Sequence, residues 1–148
     1  MIIRAAGVAD KAWLFDLHQR LYQEHIEQIW GWDTVDQLTI FEREWEECAT
    51  RMVEINETPA GCVQLKTVEG RMFLLNLALD LPFQSQGYGS SLMNQLKQEA
   101  SDLNMPIRLN VFRTNPRAKA FYLRHEFGSV KEGENGEQME WCPPALKQ

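Results

Sequence analysis

Apolar positions in the first third of the chain recur at helical spacing. Leu14, Leu17, Leu21 and His25 follow i, i+3/i+4, i+7, which predicts a helix from Asp10 to about Ile29. Gly31 suits the position after its end. Thr34-x-x-Gln37 has the form of a capping box and opens a second helix through about Cys48, with Leu38, Phe41, Trp45 and Cys48 as its apolar stripe. Ile2–Ala5 reads as a short strand before both helices. Strands follow at Arg51–Glu57, at Cys62–Val68 after a turn at Thr58–Gly61, and at Arg71–Leu79 after Glu69-Gly70. In Cys62–Val68, Val63 and Leu65 share one face and Gln64 and Lys66 the other. Arg71–Leu79 is apolar almost throughout, as a central strand covered on both faces would be.

The second half alternates helices and strands. Gly89 to about Leu103 carries Leu92, Leu96, Ala100 and Leu103 on one side of a helix. Ile107–Phe112 is a strand, and Asn115-Pro116 starts a helix to about His125, with Asn at the cap and Pro first in the helix. Phe127–Glu132 and Gln138–Trp141 form a hairpin around Gly133–Gly136. The order β-α-α-β-β-β-α-β-α-β-β predicts an α/β (α+β) fold, a mixed and mostly antiparallel central sheet with helices on both faces. Residues 1–148 read as a single domain with no linker or repeat.

Composition narrows the classes. The length of 148 residues and the 44% hydrophobic content suit one globular domain with a real core. No apolar run approaches the ~18 residues of a membrane span, and Met1 to Lys11 lacks the apolar stretch of a secretory signal. A net charge of −6 argues against a nucleic-acid binder, which needs a basic face. Cys48, Cys62 and Cys142 are odd in number and form no C-x-x-C pair, which fits buried thiols in a reducing cytoplasm. His18 and His25 share a helical face but lie seven apart, and His125 is distant, so no metal is expected.

Charge is distributed unevenly. Residues 10–57 hold four basic and twelve acidic residues, a net −8. Residues 82–131 hold seven basic and three acidic residues, a net +4. The split points to one anionic ligand and one neutral or cationic one.

The candidate chemistry lies between the central strand and the next helix. Leu77-Ala78-Leu79 runs through Asp80-Leu81-Pro82-Phe83 into Gln84-Ser85-Gln86-Gly87-Tyr88-Gly89-Ser90. Glycines at this place let backbone N–H groups point into one space beside a helix N-terminus, a geometry that holds phosphate oxygens. The loop lacks the Gly-Lys-Ser/Thr ending of nucleoside-triphosphate loops and the third glycine of G-x-G-x-x-G.

Gln84-x-x-Gly87-x-Gly89 resembles the Q/R-x-x-G-x-G/A motif of the GCN5-related N-acetyltransferases. Leu109-Asn110-Val111 followed by Asn115-Pro116-Arg117-Ala118-Lys119-Ala120-Phe121-Tyr122 is similar to that family's later N-x-x-A-x-x-F-Y helix. The resemblance implies acetyl-CoA as co-substrate. It places the backbone of Leu77, Ala78 and Leu79 along the pantetheine arm, and Gln84, Ser85, Gln86, Gly87, Tyr88, Gly89 and Ser90 around the pyrophosphate. It places Asn115 toward the pantetheine or adenylate end and counts Arg117 among the cofactor-binding residues. Tyr122 matches the tyrosine that protonates the departing thiolate of coenzyme A. Asn115 is also explained as a helix cap without any ligand.

The chain departs from the family at three places. Ser85 and Glu126 stand where the family often has glycine, although Gly128 follows Phe127. The family's fourth strand often carries a glutamate base, whereas between Arg71 and Asp80 this strand has no carboxylate and Asn76 is its only polar side chain. An amide cannot take up a proton but can position a water, or simply satisfy buried backbone groups. On the acceptor side the resemblance points to Glu24, Glu27, Trp30, Trp32 and Asp33, carboxylates beside tryptophan faces that suit a cationic amine. A helix end with tryptophans packed on the core is the alternative for this stretch. The implied activity is acetyl transfer to an amine of a small molecule by direct attack in a ternary complex. A peptide or protein acceptor and a non-catalytic acyl-CoA-binding module are the alternatives. The expected molecule is a cytoplasmic monomer or homodimer without nucleic-acid, membrane or metal partners.

Overall fold

The computed structural model describes residues 1–146. Its elements are β1 (Ile2–Ala5), α1 (Lys11–Ile29), α2 (Thr34–Glu47), β2 (Ala49–Ile55), β3 (Thr58–Val68), β4 (Arg71–Leu79), α3 (Tyr88–Asp102), β5 (Ile107–Phe112), α4 (Pro116–Arg124), β6 (Gly128–Glu132) and β7 (Gly136–Trp141). The seven strands hydrogen-bond in the order β1-β2-β3-β4-β5-β7-β6. β4 and β5 run parallel, with Met72, Phe73 and Leu74 opposite Ile107, Arg108 and Leu109. The expected α/β architecture, with its mostly antiparallel sheet, is therefore present.

The described chain forms two compact units. The first joins Met1–Lys66 to Asn76–Gln84, and the second joins Thr67–Leu75 to the chain from Ser85 onward. In the first unit a salt-bridge clamp fixes the start of the chain. Arg4 reaches both carboxylate oxygens of Asp10 at 2.9 Å and also meets Glu54 across the β1–β2 pair. The Gly7 amide donates to Asp10 as well, and these bonds hold the Asp10 carboxyl down at about 2. Helices α1 and α2 pack through an edge-to-face contact of Phe15 and Phe41, with centroids 5.5 Å apart. Lys11 Nζ lies 5.4 Å from the Trp45 ring centre.

Three local readings need correction. The turn expected at Thr58–Gly61 lies at Asn56–Glu57, whose φ values are 52° and 64°. Positive φ at both central residues is what a tight two-residue hairpin turn demands, and Ile55 pairs with Thr58 to close it. Thr58–Val68 is thus one strand, and Pro59 sits near its start beside an irregularity in register, where a missing N–H is tolerated. β2 accordingly begins at Ala49 rather than Arg51. Second, the α2 cap is Asp33, not Thr34: the Asp36 amide donates to its Oδ1 at 3.1 Å. Thr34 Oγ1 instead accepts from the Trp32 indole at 3.2 Å. Third, Leu38 is 40% exposed, so the inward stripe of α2 runs through Gln37, Ile40, Phe41, Glu44 and Trp45.

One close approach sets the spacing within the first unit. A Cβ placed on Gly61 would lie 2.1 Å from the Ala78 carbonyl oxygen and 3.1 Å from its carbon. Both obstacles are backbone, so the strand cannot yield cheaply. The Asp80 amide donates to the Ala60 carbonyl at 2.8 Å beside this point. Gly61→Ala is expected to lower stability by about 3 kcal/mol, the upper range for overpacking a tight site. Urea unfolding monitored by tryptophan fluorescence checks this, and a loss under about 0.5 kcal/mol would show that the backbone relaxes.

Candidate active site

A cleft open to solvent lies wholly within the first unit; its space, the open solvent at its mouth included, is about 530 Å³. Its floor comes from three strands: Thr50 of β2, Cys62 and Gln64 of β3, and Asn76 and Ala78 of β4. The two-residue period of strands brings each i,i+2 pair to the same face. Leu14, Leu17, His18 and Tyr22 of α1, with the inward stripe of α2, complete the lining.

The floor is polar and internally bonded. Asn76 Nδ2 donates to Gln64 Oε1 at 2.7 Å, and Gln64 Nε2 donates to Thr50 Oγ1 at 3.2 Å. Gln64 is only 6% exposed, so these bonds offset the cost of burying its amide. Asn76 thus has one polar end committed to Gln64. His18 lies 3.2 Å from Gln37 Oε1 and packs against Phe15, Tyr22 and Trp32. Burial holds its imidazole below the ordinary value, against the opposing hydrogen bond, so it is neutral at pH 7. Burial pushes the Cys62 thiol up to about 12, leaving it protonated and unreactive. It also raises the Glu44 carboxyl.

β4 continues through Asp80, which meets Arg20 of α1 in an ion pair and caps the short turn Leu81–Phe83. Gln84 Nε2 then donates to the Leu79 carbonyl at 2.8 Å. In the second unit the loop enters α3 through left-handed residues: Ser85 at φ 60° and Gly87 at φ 89°. Ser85 therefore adopts, at the first departure from the motif, the conformation usually given to glycine. Gly87 caps α3 with no side chain, and nothing lies within 4 Å of where its Cβ would be. The first amides of the helix have no partner within the helix itself, and the helix dipole adds positive potential there. Arg117 Nη2 donates to Ser85 Oγ at 2.7 Å, bringing a guanidinium to the same loop. These features fit an anionic group such as a pyrophosphate.

The end of α4 positions Tyr122. The Phe127 amide donates to the Tyr122 carbonyl at 3.1 Å, and the Glu126 amide to the Leu123 carbonyl at 3.1 Å. Glu126 has φ 69°, so it fills the left-handed position of a Schellman ending in place of the family's glycine. The Tyr122 and Phe127 rings lie 5.7 Å apart, the apolar contact that accompanies this ending. Burial raises the Tyr122 phenol to about 12, so it keeps its proton at neutral pH. Nearby, Ser90 Oγ lies 3.0 Å from His125 Nε2, and Lys97 donates to the His125 carbonyl. Burial first, then Lys97 and Arg124, hold the His125 imidazole low.

The structure sorts the remaining sequence-derived candidates. Asn115 is the α4 cap, its Oδ1 accepting from the Ala118 amide at 3.2 Å. Gln86 is exposed, Tyr88, Gly89 and Ser90 are half-buried, and Leu77 and Leu79 flank buried Ala78 on β4. None of Glu24, Glu27, Trp30, Trp32 and Asp33 lines the cavity. Asp33 caps α2, and Glu27 accepts from Gln23 at 3.0 Å. Glu24 is exposed, Trp30 is 61% exposed, and Trp32 packs on His18. Sequence reading did not assign His18, Glu44 or Gln64, which line the cavity, to a site. The available signal was polar residues on otherwise apolar faces, such as Glu44 within the stripe Phe41–Trp45.

The chain belongs to the acetyltransferase (GNAT) family, whose sequence pattern matches residues 14–127. No curated protein matches it. Its fold is shared with the PaiA N-acetyltransferase from Thermoplasma acidophilum, solved in complex with coenzyme A, at 16% identity and TM-score 0.77 over 95% of this chain and 98% of that one. Naa50 from Arabidopsis thaliana, in complex with the bisubstrate analogue CoA-Ac-MVNAL, matches at 18% identity and TM-score 0.71 over 95% and 97%. A spermidine N-acetyltransferase chimera from Vibrio cholerae and hSSAT matches at 17% identity and TM-score 0.72 over 100% of both chains. Among the described residues no helix is long and apolar enough to cross a membrane.

Glu126→Gly is expected to raise stability by about 0.5–1 kcal/mol, since a left-handed L-residue is strained and glycine is not. Thermal unfolding measures this. A fall in stability would mean that the glutamate side chain holds the helix end.

Proposed function

We propose that the chain transfers acetyl from acetyl-CoA to an amine of a small molecule. The observation that carries the reading is the left-handed Ser85–Gly87 loop at the start of α3, with the Arg117 guanidinium bonded to Ser85. This loop would hold the pyrophosphate through the amides of Gly87, Tyr88 and Gly89, with Gln84, Gln86 and Ser90 beside them. The backbone of Leu77, Ala78 and Leu79 would follow the pantetheine arm, and Asn115 would contribute its exposed edge while capping α4. Bound acetyl-CoA supplies a thioester, whose C–S bond breaks as an amide bond forms to the acceptor nitrogen.

Tyr122 is the proposed acid. The phenol of this half-buried residue retains a proton to about 12 and can give it to the departing sulfur, regaining one from solvent as the nitrogen releases its own. Asn76 is a positioning residue: it cannot accept a proton, but it can orient the amine or a water against the cavity floor. A cavity lined by apolar and aromatic groups favours a small molecule over an extended peptide, which needs a groove. Glu24, Glu27, Trp30, Trp32 and Asp33 would then influence the approach of the acceptor rather than enclose it. The Cys48 and Cys62 thiols suit a reducing, cytoplasmic setting.

An amine-panel assay with thiol readout tests the activity. Neutral or cationic primary amines are expected to release free coenzyme A, and carboxylate-rich acceptors are expected to be poor. Tyr122→Phe should lower kcat about 100-fold with acetyl-CoA affinity unchanged, the low end for losing a general acid. Unchanged turnover removes Tyr122 from the chemistry. Failure of the wild type on every amine would favour a non-catalytic acyl-CoA-binding module.

A further inference from the structure

The acceptor cavity contains a single carboxylate. Glu44 is the only Asp or Glu among its lining residues, and no Lys or Arg joins it there. The polar groups around it are neutral: Gln37, Gln64, Asn76, Thr50, Tyr22 and the His18 imidazole. The rest of the lining is apolar or aromatic, including Leu14, Leu17, Ile40, Phe41 and Trp45.

We infer that Glu44 is the counter-charge for the acceptor's ammonium group, and that the acceptor is a monoamine with an apolar or aromatic body. The inference rests on the reading of this cavity as the acceptor site. Three observations support it. First, Glu44 stands on the inward stripe of α2 between Phe41 and Trp45, where a carboxylate gains nothing from packing. Second, no side-chain ion pair or hydrogen bond engages it among the described residues: on the same helix Lys11 pairs with Glu42, and Lys66 reaches Glu47 at 3.9 Å. Third, Glu44 is poorly solvated. Burial raises its carboxyl against the pull of Arg43 and Lys66, and the repulsion of Glu47 adds to the rise. A desolvated anion gains more from a cationic ligand than a solvated one does.

The cavity also states what it disfavours. One carboxylate can match one ammonium, so a polyamine would carry further charges against uncharged walls. A carboxylate-bearing acceptor would face Glu44 with no Lys or Arg among the lining residues to offset it. The tryptophan and phenylalanine beside Glu44 suit an aromatic or aliphatic body attached to the amine.

Binding of 2-phenylethylamine and 2-phenylethanol, measured by isothermal titration on wild type and Glu44→Gln, tests this. The two probes differ in their charge and share their apolar body. Wild type is expected to bind the amine at least 10-fold more tightly than the alcohol, and the gap should close in Glu44→Gln. Equal affinities in wild type, binding of neither probe, or a gap that survives Glu44→Gln would each overturn the assignment. The wild-type comparison decides the matter even if the variant does not fold. Acetyl-CoA titration on the same samples separates the two levels of the argument. An intact amine preference with no acetyl-CoA binding leaves Glu44 as the ammonium site and removes the acetyl-transfer reading.

Discussion

The close approach of Gly61 to the Ala78 carbonyl is the constraint on which the rest of the first unit depends. A side chain there would meet backbone at 2.1 Å, so β3 and β4 can hold this spacing only with glycine at position 61. Two consequences follow. The i,i+2 partners of these strands, Cys62 with Gln64 and Asn76 with Ala78, come to one face as a continuous floor. Asn76 and Gln64 are then near enough for a 2.7 Å hydrogen bond, which lets two amides be buried at modest cost. A cavity with a polar floor and apolar walls is the outcome, and it is built from rigid strands rather than loops.

The second unit meets a different demand with backbone conformation. Ser85, Gly87 and Glu126 all take positive φ, and only one of them is glycine. The first two turn the chain into α3, where unpaired amides and a helix dipole create positive potential without a lysine. The third ends α4 so that Tyr122 is held through both its carbonyl and its ring. The strain of two L-residues in the left-handed region is tolerated because hydrogen bonds and packing on either side fix the chain.

Much of this was legible from residue order. Asn115-Pro116 announced the start of α4 to the residue, because a cap and a proline at the first helical position are local signals. Arg71–Leu79 was equally clear, since a nine-residue segment that is apolar at all but two positions has few other destinations. The Thr58–Gly61 reading failed because proline and glycine usually mark turns. Here Asn56 and Glu57 accept positive φ, while Gly61 serves close packing that only the fold reveals. Asp33 displaced Thr34 as cap for a similar reason, since either side chain is chemically competent and the tertiary position of Trp32 decides between them. The residues that line the cavity were the least legible, because Glu44, Gln64 and Asn76 come from three separate elements, whereas Glu24, Glu27 and Trp30 cluster in sequence.

The segment charges also gain a physical meaning. The +4 stretch contains Arg117 on Ser85 and Lys97 at His125, a setting that favours a polyanion near α3. The −8 stretch is mostly spent on surface pairs and caps, and one of its acids, Glu44, faces the cavity. The Ser85–Gly87 loop and α3 are proposed to hold the phosphates of acetyl-CoA. Isothermal titration of the purified chain with acetyl-CoA tests this most directly. Saturable binding at one site per chain, weakened at least 10-fold by Arg117→Ala, is the expected result; no detectable binding would contradict the account.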